Sequence, residues 1–216
     1  MHPILLKTSW LTIHTYGFLI ATGFLVCILL MRRKAKKLNI NPDSVTDIAL
    51  WTMVTGLIGA RTLYVITRWD EYMQRPQALW KFWEGGLVFY GGFLTGFCVF
   101  VWLTKRYKLN VFDITDLTVP SVAIAHFFGR WGCFMAGCCY GRVATPSFPF
   151  SVVFTDPESI APLNIHLHPA QLYDAFNNLL IFIFLQWFYP RRRFSGQLTC
   201  LYIGLYAIGR AFVESF

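Results

Sequence analysis

Three arginines stand beside glycines within otherwise apolar stretches of this chain: Gly59-Ala60-Arg61, Gly129-Arg130 and Gly209-Arg210. A guanidinium group presents its N–H donors as a fork that matches the oxygens of a phosphate. Inside a membrane an unpaired arginine costs about 2.5–3.5 kcal/mol, so three at similar depth need a shared anion or a water-filled cavity. Each arginine alone could instead extend its side chain to the polar headgroups. Together they predict a site for an anionic headgroup, with a phospholipid phosphate as the natural occupant.

Further polar side chains fall near the same ends of the predicted helices. A histidine has a pKa close to neutrality and could bind a headgroup or transfer a proton. His168 directly precedes Pro169, which is expected to start a helix. His168 could therefore equally serve to begin that helix by bonding to the backbone. These further candidates are His14, Tyr16, Tyr90, His168 and Asp174.

The stretch 129–142 is the most unusual part of the sequence, with four glycines and three cysteines. The glycines predict backbone that can approach a ligand closely. Cys133 could form a disulfide with Cys138 or Cys139 if the stretch faces an oxidising compartment. With His126, His166 and His168 a metal site is conceivable, but the spacing matches no common zinc pattern. We therefore predict no metal site and no cofactor.

The elements that must position these residues are membrane helices. Hydrophobic residues make up 56% of the 216 residues and charged residues 14%, whereas soluble domains carry about 25% charged residues. The net charge of +8 comes mostly from short basic clusters beside apolar segments, which argues against nucleic acid as a partner. Six segments approach the length needed to span a bilayer: residues 10–31, 45–67, 87–104, 111–128, 170–189 and 195–215.

Basic clusters at residues 32–37, 105–108 and 191–193 each follow one of these segments. Because basic residues beside a span tend to stay in the cytoplasm, all three clusters orient the chain the same way, with its N-terminus outside. We therefore predict an all-α polytopic membrane protein of about six transmembrane helices, in one domain over 1–216. A long outer loop is expected at 129–169.

The chain resembles the prolipoprotein diacylglyceryl transferase family over almost its whole length. Each motif alone is weak evidence for this resemblance. The motifs also match the family in their order along the chain and in their predicted location on the outer side of the membrane. The resemblance rests on His14-Thr15-Tyr16-Gly17, Gly59-Ala60-Arg61-Thr62-Leu63-Tyr64, Trp83-Glu84-Gly85-Gly86-Leu87-Val88-Phe89-Tyr90-Gly91-Gly92, Gly129-Arg130-Trp131-Gly132, His168-Pro169-Ala170-Gln171-Leu172-Tyr173 and Gly209-Arg210 through Glu214.

The resemblance implies that the chain moves the diacylglyceryl group of phosphatidylglycerol to the lipobox cysteine of a prolipoprotein signal peptide, releasing glycerol phosphate. It implies a bacterial cytoplasmic (inner) membrane location, with the active site near the outer leaflet. Carried over by position, it makes Arg130 and Arg210 the phosphate-binding residues. The other residues that it implies for catalysis or substrate binding are Tyr90, His168, His14, Tyr16, Arg61, Gly91, Gly92 and Glu214, the last as the residue that orients Arg210.

Three departures from the family pattern accompany the resemblance. Tyr90 stands where the family commonly has a histidine considered important for catalysis, and a phenol of pKa about 10 is a poor base at pH 7. Either arginines lower its pKa, or His168 or His14 takes the role. The glycine-rich stretch has Cys133, Ala136 and Cys138 where the family usually has Asn, Asn and Glu. A further family span after Glu214 is also expected to be missing.

These departures motivate two alternative functions. One is a paralogous enzyme that uses the same phospholipid pocket with a different acceptor. The other is a non-catalytic membrane protein that binds lipid or peptide.

Overall fold

The protein is mostly helical in a computed structural model that describes residues 2–8, 12–74, 77 and 85–216. Within these ranges, each of the six apolar segments coincides with a long helix, and one short helix follows the second. The helices are α1 (Thr15–Lys37), α2 (Pro42–Thr67), α3 (Trp69–Gln74), α4 (Phe89–Arg106), α5 (Val111–Ala136), α6 (Ala170–Phe188) and α7 (Gln197–Val213), with a 3-10 turn at Tyr189–Arg191.

The structure also contains two small antiparallel sheets, and the sequence did not predict these sheets. Strand β1 (Ile4–Lys7) pairs with β2 (Thr12–His14), and β3 (Val152–Val153) pairs with β4 (His166–Leu167). The second sheet orders part of the segment between α5 and α6.

Three of the helices are long and apolar enough to cross a membrane, judged over the part of the chain that is described: α1, α2 and α5. The basic clusters lie at the carboxyl ends of α1 and α4 and directly after α6. Positive charge is favourable at that end of a helix, because the helix dipole is negative there.

Two helix boundaries differ from the sequence prediction. The first helix begins at Thr15 rather than at residue 10 and continues through Lys37. Residues 12–14 form a strand instead, and the Lys and Arg that follow residue 31 are good helix formers. The helix α5 continues to Ala136, so the loop predicted at 129–169 begins at residue 137. Gly129 and Gly132 are therefore helical, and the glycine-rich stretch is irregular only from Gly137 onwards.

The chain divides into two compact units. Unit A comprises residues 1–31 and 115–216, and unit B comprises residues 32–114. Arg130, Arg210 and His168 belong to unit A, whereas Arg61 and Tyr90 belong to unit B.

Unit B is built on a close crossing of α2 and α4 that requires glycine. A Cβ atom added to Gly59 would collide with the Thr95 side chain and lie 2.7 Å from the Gly91 carbonyl oxygen. A Cβ on Gly92 would lie 2.9 Å from the Gly56 carbonyl oxygen. Small residues at a helix crossing let the two backbones approach and gain van der Waals contact, which is how helices associate in lipid.

We expect Gly59→Val to prevent α2 and α4 from packing, because the added side chain meets backbone as well as Thr95. The melting temperature in detergent should fall sharply, or the protein should fail to elute as a single folded species. Gly204→Ala is the matched control, since a Cβ there meets nothing within 4 Å and alanine favours a helix by about 1 kcal/mol over glycine. An unchanged melting temperature in Gly59→Val would contradict the packing described here.

Unit A contains a buried carboxylate that caps the start of α7. Asp116 on α5 is 0% exposed and accepts hydrogen bonds from the Gly196 and Thr199 backbone N–H groups, each at 2.9 Å. It also accepts the Thr199 hydroxyl at 2.9 Å and pairs with Arg192 at 3.4 Å. The first N–H groups of a helix have no partner inside it, and glycine at the cap position offers no side chain. Asp116 therefore supplies the cap from a neighbouring helix.

Asp116→Ala is expected to lower the free energy of unfolding by about 3 kcal/mol, because it removes one partner of a buried ion pair and leaves buried donors unsatisfied. Thermal unfolding in detergent measures the change. The control is Glu158→Gln, whose carboxylate forms an exposed pair with Lys7 and should contribute less than about 1 kcal/mol. Equal stability of the two variants would refute the capping role.

Candidate active site

Two of the predicted arginines converge on one buried carboxylate in unit A. Asp174, in the first turns of α6, is 1% exposed. The Nε atom of Arg130 on α5 lies 2.8 Å from Asp174 Oδ2, and the Nη1 atom of Arg210 on α7 lies 3.7 Å from the same oxygen. Three helices thus bring together two guanidinium groups that are 80 residues apart in sequence.

A polar network surrounds this carboxylate. The Asn178 amide donates to Asp174 Oδ1 at 3.0 Å. One turn before Arg130 on α5, the Nδ1 atom of His126 lies 2.9 Å from the Tyr202 hydroxyl on α7. A buried charge is costly unless it is paired and hydrogen-bonded. Asn178 therefore holds one oxygen of Asp174, and the other oxygen pairs with the two arginines.

The buried part of this cluster holds more positive groups than negative ones. Arg130 and Arg210 contribute two positive charges, and Asp174 contributes the buried negative charge. Glu214, predicted to orient Arg210, is exposed, with its Oε2 4.0 Å from Arg210 Nε. An exposed pair of this length contributes little, so Asp174 is the stronger partner of Arg210. Among the described residues, the second positive charge is therefore offset only by the exposed carboxylate of Glu214.

Tyr16 packs against α5. It is in the first turn of α1, and a Cβ atom added to Gly132 on α5 would lie 3.1 Å from Tyr16 Cδ2. Gly132 is two residues from Arg130 along the chain, and residues with this spacing point to different faces of a helix. His14 precedes it in strand β2, paired with Ile4, and is exposed.

His168 contacts aromatic residues. Its ring centroid lies 4.6 Å from that of Phe148 and 5.5 Å from that of Phe216, and its Nδ1 lies 3.3 Å from the Tyr173 hydroxyl. Its backbone exchanges hydrogen bonds with Gly141 and Arg142. These contacts favour the structural role of His168, in which it fixes the start of α6, over binding of a headgroup or transfer of a proton.

Arg61 in unit B holds a turn together. It is 5% exposed, donates to the backbone carbonyls of Gly85 and Gly86, and lies 5.8 Å and 5.5 Å from the ring centroids of Tyr64 and Tyr72. Both glycines have positive φ, +84° and +78°, a conformation that favours glycine. Arg61 therefore shapes the segment that leads into α4.

Tyr90, in the first turn of α4, is 70% exposed. Gly91 and Gly92, expected to bind substrate, lie in the crossing of α2 and α4 described above. That packing accounts for glycine at both positions without a ligand. Trp83 and Glu84 of the same motif lie outside the described residues.

The three cysteines of the unusual stretch are close together and are free thiols. Their Sγ atoms all lie within 4.8 Å of one another. A hydrogen bond with the Cys133 thiol and burial raise the pKa of the Cys138 thiol well above its ordinary value. Burial also raises the pKa of Cys139. His166 is apart from this cluster and hydrogen-bonds to Ser151 at 3.0 Å.

Most of the side chains around the arginines cannot be predicted from the sequence. Asp174 stands out only as a polar residue at the start of a helix, and Asn178 and Tyr202 give no signal. The spacing of Asp174 and Asn178, four residues apart on one helix face, could have indicated a polar stripe inside an apolar helix.

Comparison with known proteins agrees with the resemblance. The family model described as prolipoprotein diacylglyceryl transferase matches residues 3–216. Similar proteins named phosphatidylglycerol–prolipoprotein diacylglyceryl transferase include one from Clostridium tetani, 37% identical over 99% of this chain and 84% of that protein. Another, from Synechococcus elongatus, is 32% identical over 98% of this chain and 75% of that protein. A third, from Clostridium perfringens, carries the same name followed by the number 2 and is 33% identical over 99% and 82%. The chain therefore belongs to the prolipoprotein diacylglyceryl transferase family.

Proposed function

We propose that this chain transfers the diacylglyceryl group of phosphatidylglycerol to the cysteine thiol of a prolipoprotein signal peptide, and that Arg130 and Arg210 hold the phosphate. The observation that supports these two residues is their shared carboxylate, Asp174, which positions both guanidinium groups at one place. Two guanidinium groups side by side suit the oxygens of a lipid phosphate.

The reaction breaks a carbon–oxygen bond and forms a carbon–sulfur bond. The acceptor sulfur attacks the glycerol carbon next to the phosphate, and the bonding electrons leave with the phosphate oxygen as glycerol phosphate is released. Negative charge therefore builds up on the phosphate in the transition state. Preorganised donors at the place where charge develops are commonly the largest single contribution to catalysis.

Other residues have supporting roles in this proposal. Tyr16 and His14 line the headgroup pocket, Glu214 assists Arg210, and Arg61 with Gly91 and Gly92 shapes the substrate site. A thiol of pKa about 8.5 must lose its proton to react. Tyr90 and His168 are the residues proposed to assist this step.

In this proposal the six long helices cross the bacterial cytoplasmic (inner) membrane, with the N-terminus outside and the active site near the outer leaflet. Three helices of sufficient length and apolarity support the membrane location. The basic clusters support the orientation.

The test uses purified chain, vesicles of phosphatidylglycerol and a peptide containing the lipobox cysteine. We expect release of glycerol phosphate together with a gain in peptide mass equal to one diacylglyceryl group. The same peptide with serine in place of cysteine is the control and should remain unmodified. A folded sample that binds the vesicles and yields neither product would refute the transferase and favour another acceptor.

A further inference from the structure

Three thiols converge at the end of α5, although the spacing of their cysteines matches no common metal-binding pattern. Cys133 lies in the last turn of the helix, and Cys138 and Cys139 directly follow its end. The three sulfur atoms lie within 4.8 Å of one another. The three cysteines are not joined by a disulfide, so all three sulfurs are available to one ligand.

The backbone creates this convergence. Gly137 has φ of +76°, and its N–H donates to the Phe134 carbonyl, while the Cys138 N–H donates to the Cys133 carbonyl at 3.1 Å. These two bonds form the Schellman end of a helix, which reverses the chain over its last turn. Cys138 is thereby placed back over Cys133.

A further turn brings in the third thiol. Cys139 has φ of +60°, a left-handed conformation that costs a residue with a Cβ atom about 1–2 kcal/mol. The buried Gln171 side chain donates to the Cys138 carbonyl at 2.7 Å and so anchors the turn to α6. The cluster therefore depends on a defined and partly strained backbone.

Three sulfur ligands are a donor set for a soft or borderline metal ion such as Zn²⁺. Zinc–sulfur bonds are about 2.3 Å long, which puts tetrahedral sulfur ligands about 3.8 Å apart. Sulfur atoms within 4.8 Å need to approach by at most about 1 Å to reach that distance. Three protein ligands with an open fourth position are typical of catalytic zinc sites, and the exposed Cys139 offers a route for the ion.

We propose that Cys133, Cys138 and Cys139 bind Zn²⁺ and that its fourth position binds the thiol of the acceptor peptide. The second half of this proposal rests on the transferase function proposed above. Arg130 is three residues from Cys133 on α5, and residues with this spacing share one helix face. The metal-bound acceptor and the phosphate held by Arg130 would therefore be neighbours.

The proposed step transfers the diacylglyceryl group to the metal-bound sulfur. On binding the metal, the acceptor thiol loses its proton to solvent, because a coordinating thiol is deprotonated outright. The metal-bound sulfur attacks the glycerol carbon, and the electrons of the carbon–oxygen bond leave with the phosphate. The product is a neutral thioether, a weaker ligand than a thiolate, so it dissociates. This activation requires no histidine at the position of Tyr90.

The experiment titrates the reduced full-length protein with Zn²⁺, and with Co²⁺ as a spectroscopic substitute. We expect one ion per chain and a sulfur-to-cobalt charge-transfer band. Cys133→Ser, Cys138→Ser and Cys139→Ser should each weaken binding by more than the roughly 10- to 100-fold typical of losing a supporting contact. Cys200→Ser and Cys98→Ser alter exposed thiols outside the cluster and should bind like the wild type.

A second measurement adds the acceptor peptide to the cobalt-loaded protein. A cysteine peptide should strengthen the charge-transfer band by adding a fourth sulfur, and the serine peptide should not. Failure of the wild type to bind one ion, or equal binding in the three cluster variants, would overturn the metal site. Binding without a response to the cysteine peptide would overturn the acceptor role.

These outcomes separate this inference from the proposed function. Metal-free protein that forms the lipid adduct at the full rate would overturn the inference and leave the transferase intact. Cobalt binding that responds to the peptide, in protein that yields no adduct, would support the metal site and refute the transferase.

Discussion

The Arg130→Gln variant is expected to transfer the diacylglyceryl group about 100- to 1,000-fold more slowly than the wild type, the usual effect of removing one donor that stabilises developing charge. Glutamine retains polarity and approximate length but removes the positive charge that is proposed to bind the phosphate. The rate of peptide modification at saturating phosphatidylglycerol measures the effect. Arg130→Lys should recover part of the rate, since it restores the charge without the fork-shaped donor pattern.

Arg68→Gln is the matched control for this prediction. Arg68 is exposed and pairs with Glu71 on the surface, so its replacement removes one positive charge without reaching the phosphate cluster. It should retain the wild-type rate. If Arg130→Gln also retained that rate while remaining folded, the phosphate site would have to lie elsewhere.

The second large effect is expected at Asp174, which acts as a positioning residue. Asp174→Asn leaves two guanidinium groups without their carboxylate and should lower the free energy of unfolding by about 3 kcal/mol, the lower end for breaking a buried ion pair. Both arginines are partly exposed, which limits the loss. The transfer rate should also fall by about 100-fold, because small displacements of catalytic groups are costly.

A merely structural role for Asp174 would affect stability alone. The distinguishing measurement is the rate of the folded fraction, well below the melting temperature and at saturating lipid. Asp174→Glu, which restores the carboxylate, should recover stability and part of the rate. Asp156→Asn changes a half-buried carboxylate in the loop after α5, outside the arginine cluster, and serves as the control. A normal rate per folded molecule in Asp174→Asn would eliminate the positioning role.

The helices could be predicted from the sequence because apolar length is a local property. Each of the six segments became a helix, with boundaries displaced where local chemistry decided. Residues 12–14 pair with β1 through contacts that hydropathy does not reveal, and the helix extends into Arg32 and Lys37 because these residues favour it. The helix α5 ends at Ala136 and not at residue 128 as predicted. Glycine costs a helix only about 1 kcal/mol, and packing offsets that cost.

The arrangement of the candidate site could be predicted only in part, for a physical reason. Arg130 and Arg210 stand out in the sequence because an arginine in an apolar helix is costly. Their partner Asp174 was not assigned, since the contact joins three helices and depends on tertiary packing. The sequence indicates that Cys133 could meet Cys138 or Cys139, but as a disulfide and not as a metal site. A helix end and two left-handed residues bring the three thiols together at a spacing that no common metal motif shares.

We propose that thiol attack at carbon expels a phosphate that Arg130 and Arg210 hold. The most direct measurement uses phosphatidylglycerol labelled with ¹⁸O at the oxygen that joins the diacylglyceryl carbon to phosphorus, and follows both products by mass spectrometry. We expect an unlabelled diacylglyceryl adduct on the peptide cysteine and all of the ¹⁸O in glycerol phosphate. Retention of the ¹⁸O label in the diacylglyceryl product would contradict attack at carbon. Consumption of labelled lipid without a peptide adduct would contradict transfer to the cysteine.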